Sequence, residues 1–198
     1  MISGLITVLL LTGSPATASG QRYSSGDPAG PSDSYWKRFA IGAGASLLAH
    51  ESAHLLTSLA LGFHPYIAFD KGRPTVYSGI DSHKNPHKQF LFSAAGLTTQ
   101  ALIDEAILDI PHSRGGAIER GILAGGIGTT LFYITLGRNG SVSDISYMAR
   151  TSSLSKTQIS LIFGGLSAIH ALRISRGSSY AHFFVRPTQN GAALGVSF

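Results

Sequence analysis

The chain has 198 residues, of which 43% are hydrophobic and 13% are charged, and its formal net charge is +5. So little charge is unusual for a water-facing surface, and the shortage indicates contact with lipid. The chain has no cysteine, which excludes disulfides, cysteine-type zinc sites and thiol catalysis, so a metal ion would need ligands from His, Asp or Glu. The basic residues are scattered and form no continuous face, so nucleic acid is not an expected partner.

Residues 1–18 have the pattern of a signal peptide. An apolar run precedes Ala16-Thr17-Ala18, a small-x-small sequence that signal peptidase accepts. An uncleaved apolar leader is the alternative, because no Lys or Arg precedes the apolar run. Residues 19–36 are rich in Ser, Gly, Pro and Asp and are predicted to be a flexible linker, since such a segment buries too little apolar surface to fold.

The region 37–176 contains four apolar segments, each close to the roughly 20 residues that a helix needs to cross a membrane. The segments are 39–62, 90–110, 116–136 and 157–174. They predict a mainly α fold: a polytopic membrane helix bundle of about four helices, multi-pass in the bacterial inner membrane. Gly121 and Gly125, four residues apart, either allow close packing of helices or are incidental.

Two β-hairpins are predicted in addition to the helices. A small hairpin follows the first helix, with strands 66–69 and 75–77 on either side of a turn rich in Gly, Pro and Asp. A short C-terminal hairpin is predicted in the tail, residues 177–198, around an Asn190-Gly191 turn.

The run His50-Glu51-Ser52-Ala53-His54 carries the chemistry. Residues at i and i+4 share a helix face, so His50 and His54 can bind one metal ion. Zinc accepts two imidazoles and one carboxylate and leaves a fourth position for water, within reach of Glu51 as general base and acid. A hydrogen-bonded core histidine pair is the alternative, but ionisable residues inside an apolar segment need a partner, and a metal ion supplies one.

Two carboxylates compete to be the third zinc ligand. Asp144 follows the third apolar segment and Glu105 lies in the second, and zinc accepts either. As structural residues, Asp144 would be the N-cap of a helix that begins at Ile145, and Glu105 would pair with Arg114 or Arg120. The carboxylate that does not bind zinc is expected to accept the remaining N–H of one of the two ligand histidines.

Two other polar residues lie within the apolar segments. Gln100 is expected to form hydrogen bonds between helices, with a contact to the substrate as the alternative. His170 is expected to be a packed, hydrogen-bonded histidine and not a metal ligand.

These motifs resemble two peptidase families. The segment 49–56, with the His50 to His54 run on an apolar helix, then a hairpin and Ser93-Ala94-Ala95-Gly96, resembles site-2 proteases, a type of intramembrane zinc metallopeptidase, over residues 39 to about 150. That resemblance implies that Asp144 stands for the Asp of the family's Leu-Asp-Gly motif and is the third ligand. The segment 103–109 resembles the Asn-Glu-Ala-Ile-Ser-Asp helix of thermolysin-like gluzincins, which implies Glu105 instead. We expect Asp144.

The expected function is zinc-dependent hydrolysis of peptide bonds within or at the membrane, with Glu51 activating a zinc-bound water. The expected partners are membrane lipid and a substrate that is a membrane protein or an exported peptide, which adds a strand to the first hairpin. The oligomeric state cannot be predicted from the sequence. The alternatives are a membrane-anchored gluzincin-like peptidase that uses Glu105, and a non-catalytic metal-binding membrane scaffold, in which Glu51 would have no purpose.

Overall fold

The computed structural model describes residues 32–70, 72–110, 115–176, 182–188 and 191–197. The predicted signal peptide and residues 19–31 of the predicted linker lie outside these ranges, and residues 33–36 of that linker are helical. The elements in chain order are α1 (Asp33–Ala60), β1 (Tyr66–Asp70), β2 (Arg73–Tyr77), α2 (Pro86–Asp109), α3 (Ala117–Ile134), α4 (Asp144–Arg150), α5 (Lys156–Arg176), β3 (His182–Thr188) and β4 (Gly191–Ser197).

The mainly helical fold differs from the predicted membrane bundle. Five helices are present where about four were predicted, and within the described residues none combines the length and the apolar character needed to cross a membrane. The helices are less apolar than the predicted membrane spans, because polar residues interrupt or end them. Helix α2, for example, begins with Pro86-His87-Lys88-Gln89 and ends with three acidic residues within 104–109. The predictions of a polytopic membrane domain over 37–176 and of a multi-pass location in the bacterial inner membrane are therefore wrong.

Helices α1 and α3 lie so close that their backbones touch. A Cβ added to Gly42 would lie 2.0 Å from the carbonyl oxygen of Ile118, and one added to Gly121 would lie 2.1 Å from that of Phe39. Gly125 meets α1 in the same way. No side chain larger than hydrogen fits at these contacts, so of the two interpretations of Gly121 and Gly125, close packing of helices is the one that holds.

Two groups of buried apolar side chains hold the other helices together. One joins α2, α3 and α5, and it consists of Leu108, Leu123, Ile127 and Ile174. The other joins α2, α4 and α5, and it consists of Leu97, Ile145, Met148 and Ile159. Because Ile145 and Met148 anchor the short helix α4 against α2, the first residue of α4 has a fixed position in the interior.

Both predicted hairpins are present. Strands β1 and β2 pair antiparallel, with Tyr66 opposite Tyr77, whose rings stack with centroids 5.1 Å apart. Strands β3 and β4 pair antiparallel, with Thr188 opposite Gly191, and Asn190 of the predicted turn lies outside the described residues. Helix α1 contacts β2, so the first hairpin lies beside the helix that carries the histidine pair.

Candidate metal centre

One face of α1 is buried along most of its length. Every fourth residue on this face is enclosed by the neighbouring helices, and these residues are Gly42, Ser46, His50, His54 and Ser58. The small residues let α2 and α3 approach closely, and the two imidazoles occupy the space between them. His50 is 0% and His54 3% exposed, so both predicted ligands point into the protein.

Asp144, the first residue of α4, lies beside the two histidines, and we call His50, His54 and Asp144 the cluster. Its Oδ2 lies 3.2 Å from Nε2 of His50 and 3.3 Å from Nε2 of His54, and the two Nε2 atoms are 3.1 Å apart. The three atoms therefore form a triangle with nearly equal sides. Ser143, and not Asp144, is the N-cap residue, so the N-cap interpretation of Asp144 is wrong.

The dimensions of this triangle fit a metal ion. In a tetrahedral site with metal–ligand bonds of about 2.0 Å, neighbouring ligand atoms lie about 3.3 Å apart. Oδ2 of Asp144 is buried and, among the described residues, receives no hydrogen bond of acceptable geometry. Two imidazoles and a carboxylate could hold a cation here and would leave its fourth position open.

The other ring nitrogen of each histidine is held by α2. Nδ1 of His50 lies 3.0 Å from Oε1 of Gln100, and Nδ1 of His54 lies 2.6 Å from the main-chain oxygen of Phe92. Both oxygens can only accept, so each Nδ1 carries a proton and each Nε2 is left for a metal ion. We expected a carboxylate in this role; a side-chain amide and a main-chain carbonyl fill it instead.

Gln100 also joins the two helices. Its Nε2 lies 3.1 Å from the hydroxyl oxygen and 3.3 Å from the carbonyl oxygen of Ser46 on α1. The expected role of Gln100 in hydrogen bonding between helices is confirmed. The same bonds orient its Oε1 towards His50, so the amide supports the cluster as well as the packing of the helices.

Gly96 provides the room that the imidazoles occupy. A Cβ added at this position would lie 2.5 Å from Nε2 of His50 and 2.6 Å from Nε2 of His54. Real Cβ contacts are never so short, so any other residue would displace the two ligand atoms. The cluster therefore depends on a glycine at this turn of α2.

The pKa values of Asp144 and His54 depend on each other. Burial alone would raise the pKa of Asp144, but the charge of His54 and the close approach of both imidazoles lower it to about 2. Burial alone would lower the pKa of His54, but Asp144, with smaller contributions from the Phe92 carbonyl and Glu51, raises it to about 9. Without a metal ion the cluster thus holds a proton, which a metal ion would displace on binding.

Glu105 lies outside the cluster. Its Oε2 is 2.8 Å from Nε2 of His170, and its Oε1 is 2.7 Å from Nη1 of Arg173, both on α5. The expected pairing with Arg114 or Arg120 is replaced by these two contacts; Arg114 itself lies outside the described residues. His170 is 3% exposed and hydrogen-bonded, as expected.

Asp104, the neighbour of Glu105, was not singled out from the sequence. It is 2% exposed, and its Oδ2 lies 3.7 Å from Nδ1 of His170. Its Oδ1 has no hydrogen-bond partner among the described residues, and a Cβ on Gly126 of α3 would lie 2.6 Å from its Oδ2. Burial raises the pKa of Asp104 to about 8.

A cavity of about 890 Å³ opens beside the cluster. Glu51, His54 and Asp144 border it on one side, and the strand β2 borders it on another. Glu51 is half-buried, so its carboxylate is available to a molecule in the cavity. Tyr133 of α3 also borders the cavity and stacks on the ring of His50 with centroids 5.4 Å apart. Sequence reasoning missed Tyr133, because an aromatic residue in an apolar helix carries no distinguishing signal.

Comparisons of the chain with protein-family models, with curated proteins and with solved structures find no match. The likeness to site-2 proteases and to gluzincins therefore stays a prediction from the sequence.

Proposed function

We propose that the protein is a zinc-dependent peptidase, in which His50, His54 and Asp144 hold zinc and Glu51 is the general base. The observation that carries the proposal is the triangle of ligand atoms with sides of 3.1 to 3.3 Å, at the edge of a cavity that Glu51 also borders. Two imidazoles and one carboxylate with an open fourth position are a ligand set that zinc accepts in catalytic sites. A closed structural site would have four protein ligands and no need of Glu51.

The chemistry is divided between the metal and Glu51. Zinc, when bound, lowers the pKa of a coordinated water towards about 7 and polarises the scissile carbonyl. Glu51 accepts a proton from the attacking water and later donates it to the leaving amine. Its place beside His50 in the sequence and at the cavity in the fold suits both transfers.

The cavity suits an extended peptide segment as substrate. Its volume of about 890 Å³ lies within the range of ligand pockets, about 300 to 1,000 Å³. Apolar and aromatic side chains form much of its wall, including Leu47, Phe132 and Leu136, and β2 offers a strand beside the cluster. A peptide that lies extended there would present its main-chain carbonyls to the metal and to Glu51.

Metal analysis and a protease assay test the proposal together. The wild type is expected to purify with stoichiometric zinc and to cleave casein, and His54→Ala to lose the zinc. Glu51→Gln should keep the zinc and lose about 100- to 10,000-fold in rate, the usual contribution of a general base. Ser52→Ala, which changes an exposed residue of the same motif, is the matched control.

Two results would overturn the proposal. A wild type that binds no zinc at stoichiometric level removes its basis. A zinc-loaded wild type and a Glu51→Gln variant that cleave casein at the same rate, or that both fail to cleave any peptide, would leave a metal-binding protein without the proposed chemistry.

A further inference from the structure

Helices α1 and α3 separate beyond Gly125. Gly121, Gly125 and Gly128 follow one another at helical spacing, so they lie on the same face of α3. A Cβ added at Gly121 would lie 2.1 Å from the carbonyl oxygen of Phe39 on α1. One added at Gly125 would lie 2.8 Å from Cβ of Ser46, also on α1. At Gly128, by contrast, a Cβ would meet no neighbouring element within 4 Å in the described part of the chain, so the face that touches α1 is open here.

Two contacts show which part of α1 lies opposite Gly128. Ser46 lies against Gly125, and the ring of His50 stacks on that of Tyr133. Gly128 lies between these two contacts in α3. The stretch of α1 opposite it is therefore 46–50, immediately before the general base of the proposed mechanism.

The space that opens between the two helices is part of the cavity. Gly128 borders the cavity and is exposed, and Leu47 and Leu48 border it with 50% and 69% of their surface exposed. Phe132, one turn beyond Gly128 on α3, borders it as well. We call the part of the cavity between these four residues the crevice. Leu47 and Glu51 share a face of α1, about 6 Å apart along the helix, so the crevice lies beside Glu51.

The crevice suits an apolar side chain. Two leucines, a glycine and a phenylalanine border it, and none of their side chains carries a polar atom. The ionisable carboxyl and imidazole groups in the described wall of the cavity are those of Glu51, His54 and Asp144. A charged side chain in the crevice would lose its water without gaining a hydrogen bond from these walls, whereas an apolar one gains by burial.

We propose that the crevice is a specificity subsite, which takes a large apolar side chain such as that of Leu or Phe from the substrate residue next to the scissile bond, in the room left by Gly128. This inference rests on the proposed peptidase function. The water that Glu51 activates attacks the scissile carbonyl, so a side chain bound about 6 Å from Glu51 belongs to a residue that adjoins this carbonyl. The size of the residue at position 128 then sets the size of the side chain that fits.

Peptides that differ in one residue test the inference on the wild-type protein. A casein-derived peptide with one cleavage site is made with Ala, Leu, Phe, Asp or Lys on either side of the scissile bond. At one of the two positions we expect kcat/KM for Leu and Phe to exceed that for Ala by at least about tenfold, the discrimination that a hydrophobic pocket gives for added methylene groups. Asp and Lys should give the lowest values. Equal kcat/KM for Ala and Leu at both positions would overturn the subsite.

A variant that fills the crevice provides the second test. In Gly128→Leu, the ratio of kcat/KM for the Leu peptide to that for the Ala peptide should fall at least about tenfold, with zinc retained. Gly165→Leu is the matched control. Gly165 is an exposed glycine with open space in its Cβ direction, on α5, which contributes no residue to the described wall of the cavity. Gly165→Leu adds the same side chain to a helix and should keep the wild-type ratio.

The outcomes separate this inference from the proposed function. If the zinc-loaded wild type cleaves no peptide, the peptidase function itself fails. If the wild type prefers Leu and Gly128→Leu shows the same ratio, the assignment of the subsite alone fails. If Gly128→Leu loses its zinc, Gly128→Ala decides: its smaller side chain should lower kcat/KM more for the Phe peptide than for the Ala peptide, and equal effects on both would overturn the assignment.

Discussion

His50 and Gln100 are joined across the interface of α1 and α2 by a hydrogen bond of 3.0 Å between Nδ1 and Oε1. Both residues are nearly fully buried, at 0% and 1% exposure, so water cannot replace the amide as acceptor. The bond fixes the tautomer of His50 and turns its Nε2 towards the cluster. Gln100 thereby sets the orientation of a predicted metal ligand.

Loss of this acceptor should weaken metal binding. Gln100→Leu preserves much of the volume but removes Oε1, and zinc affinity is expected to fall about 10- to 100-fold, the usual effect of removing a partner of a ligating histidine. Competition with a chelator measures the affinity. Ser52→Ala, which changes an exposed residue of α1, is the control and should keep the wild-type affinity. Equal affinities for Gln100→Leu and the wild type would contradict this role.

The space at Gly96 is expected to be as important as the ligands themselves. In Gly96→Ala the new Cβ would stand 2.5 to 2.6 Å from both Nε2 atoms, so the imidazoles must move and zinc affinity should fall by at least about 10- to 100-fold. Gly44→Ala places a methyl group in open space on α1 and is the matched control, with full zinc content expected. Zinc content after dialysis distinguishes the two, and a zinc-loaded Gly96→Ala would refute the steric argument.

The identity of the third ligand can be tested by paired substitutions. Asp144→Ala should purify without zinc, because it removes the oxygen that lies within 3.3 Å of both imidazoles. Glu105→Ala should keep its zinc, since Glu105 contacts His170 and Arg173. Zinc analysis of both proteins is the measurement. Loss of zinc from Glu105→Ala, with retention in Asp144→Ala, would favour the gluzincin-like arrangement.

The buried carboxyl of Asp104 should make stability depend on pH. Its pKa is about 8 in the folded chain against an ordinary value of 3.8, so between these pH values the folded state binds more protons than the unfolded state. The stabilising contribution is therefore complete below about pH 4 and is lost as pH rises towards 8. Through Asp104 alone, the free energy of unfolding falls by at most about 1.4 kcal/mol per pH unit. The groups near it are Gly126, His170 and, through His170, Glu105.

Urea unfolding of the zinc-free protein at several pH values between about 5 and 8 measures this contribution. Asp104→Asn keeps the shape of a neutral carboxyl, so its free energy of unfolding should fall less steeply with pH than that of the wild type. Asp109→Asn, an exposed change on the same helix, retains Asp104 and should keep the wild-type slope. Identical slopes for all three proteins would show that Asp104 does not titrate in this window.

The sequence predicted the parts of the site that depend on local spacing. His50 and His54 share a helix face whatever the rest of the chain does, and the glycines at 121 and 125 do so as well. Whether Asp144 or Glu105 joins the histidines depends on how α4 and α5 pack against α2, which local spacing does not determine. The support of His54 is a main-chain carbonyl of Phe92, a group that every residue possesses and that no pattern of side chains reveals.

The predicted membrane bundle is wrong because polar residues within and at the ends of the helices leave none of the described helices apolar enough to cross a membrane. Glu105 shows a related difficulty. Its partners His170 and Arg173 lie 65 and 68 residues later in the chain, whereas sequence reasoning favoured arginines nearby.

Gly42 and His50 lie on the same buried face of α1, two turns or about 12 Å apart. At Gly42 the backbone of α1 rests directly on that of α3, with no flexible side chain between them to absorb a displacement. A change at this backbone contact would therefore move the whole of α1, including the turn that carries His50. A single methyl group inserted there would tilt α1 and move the imidazoles relative to Asp144, so a residue about 12 Å from His50 governs the geometry of the three-residue cluster.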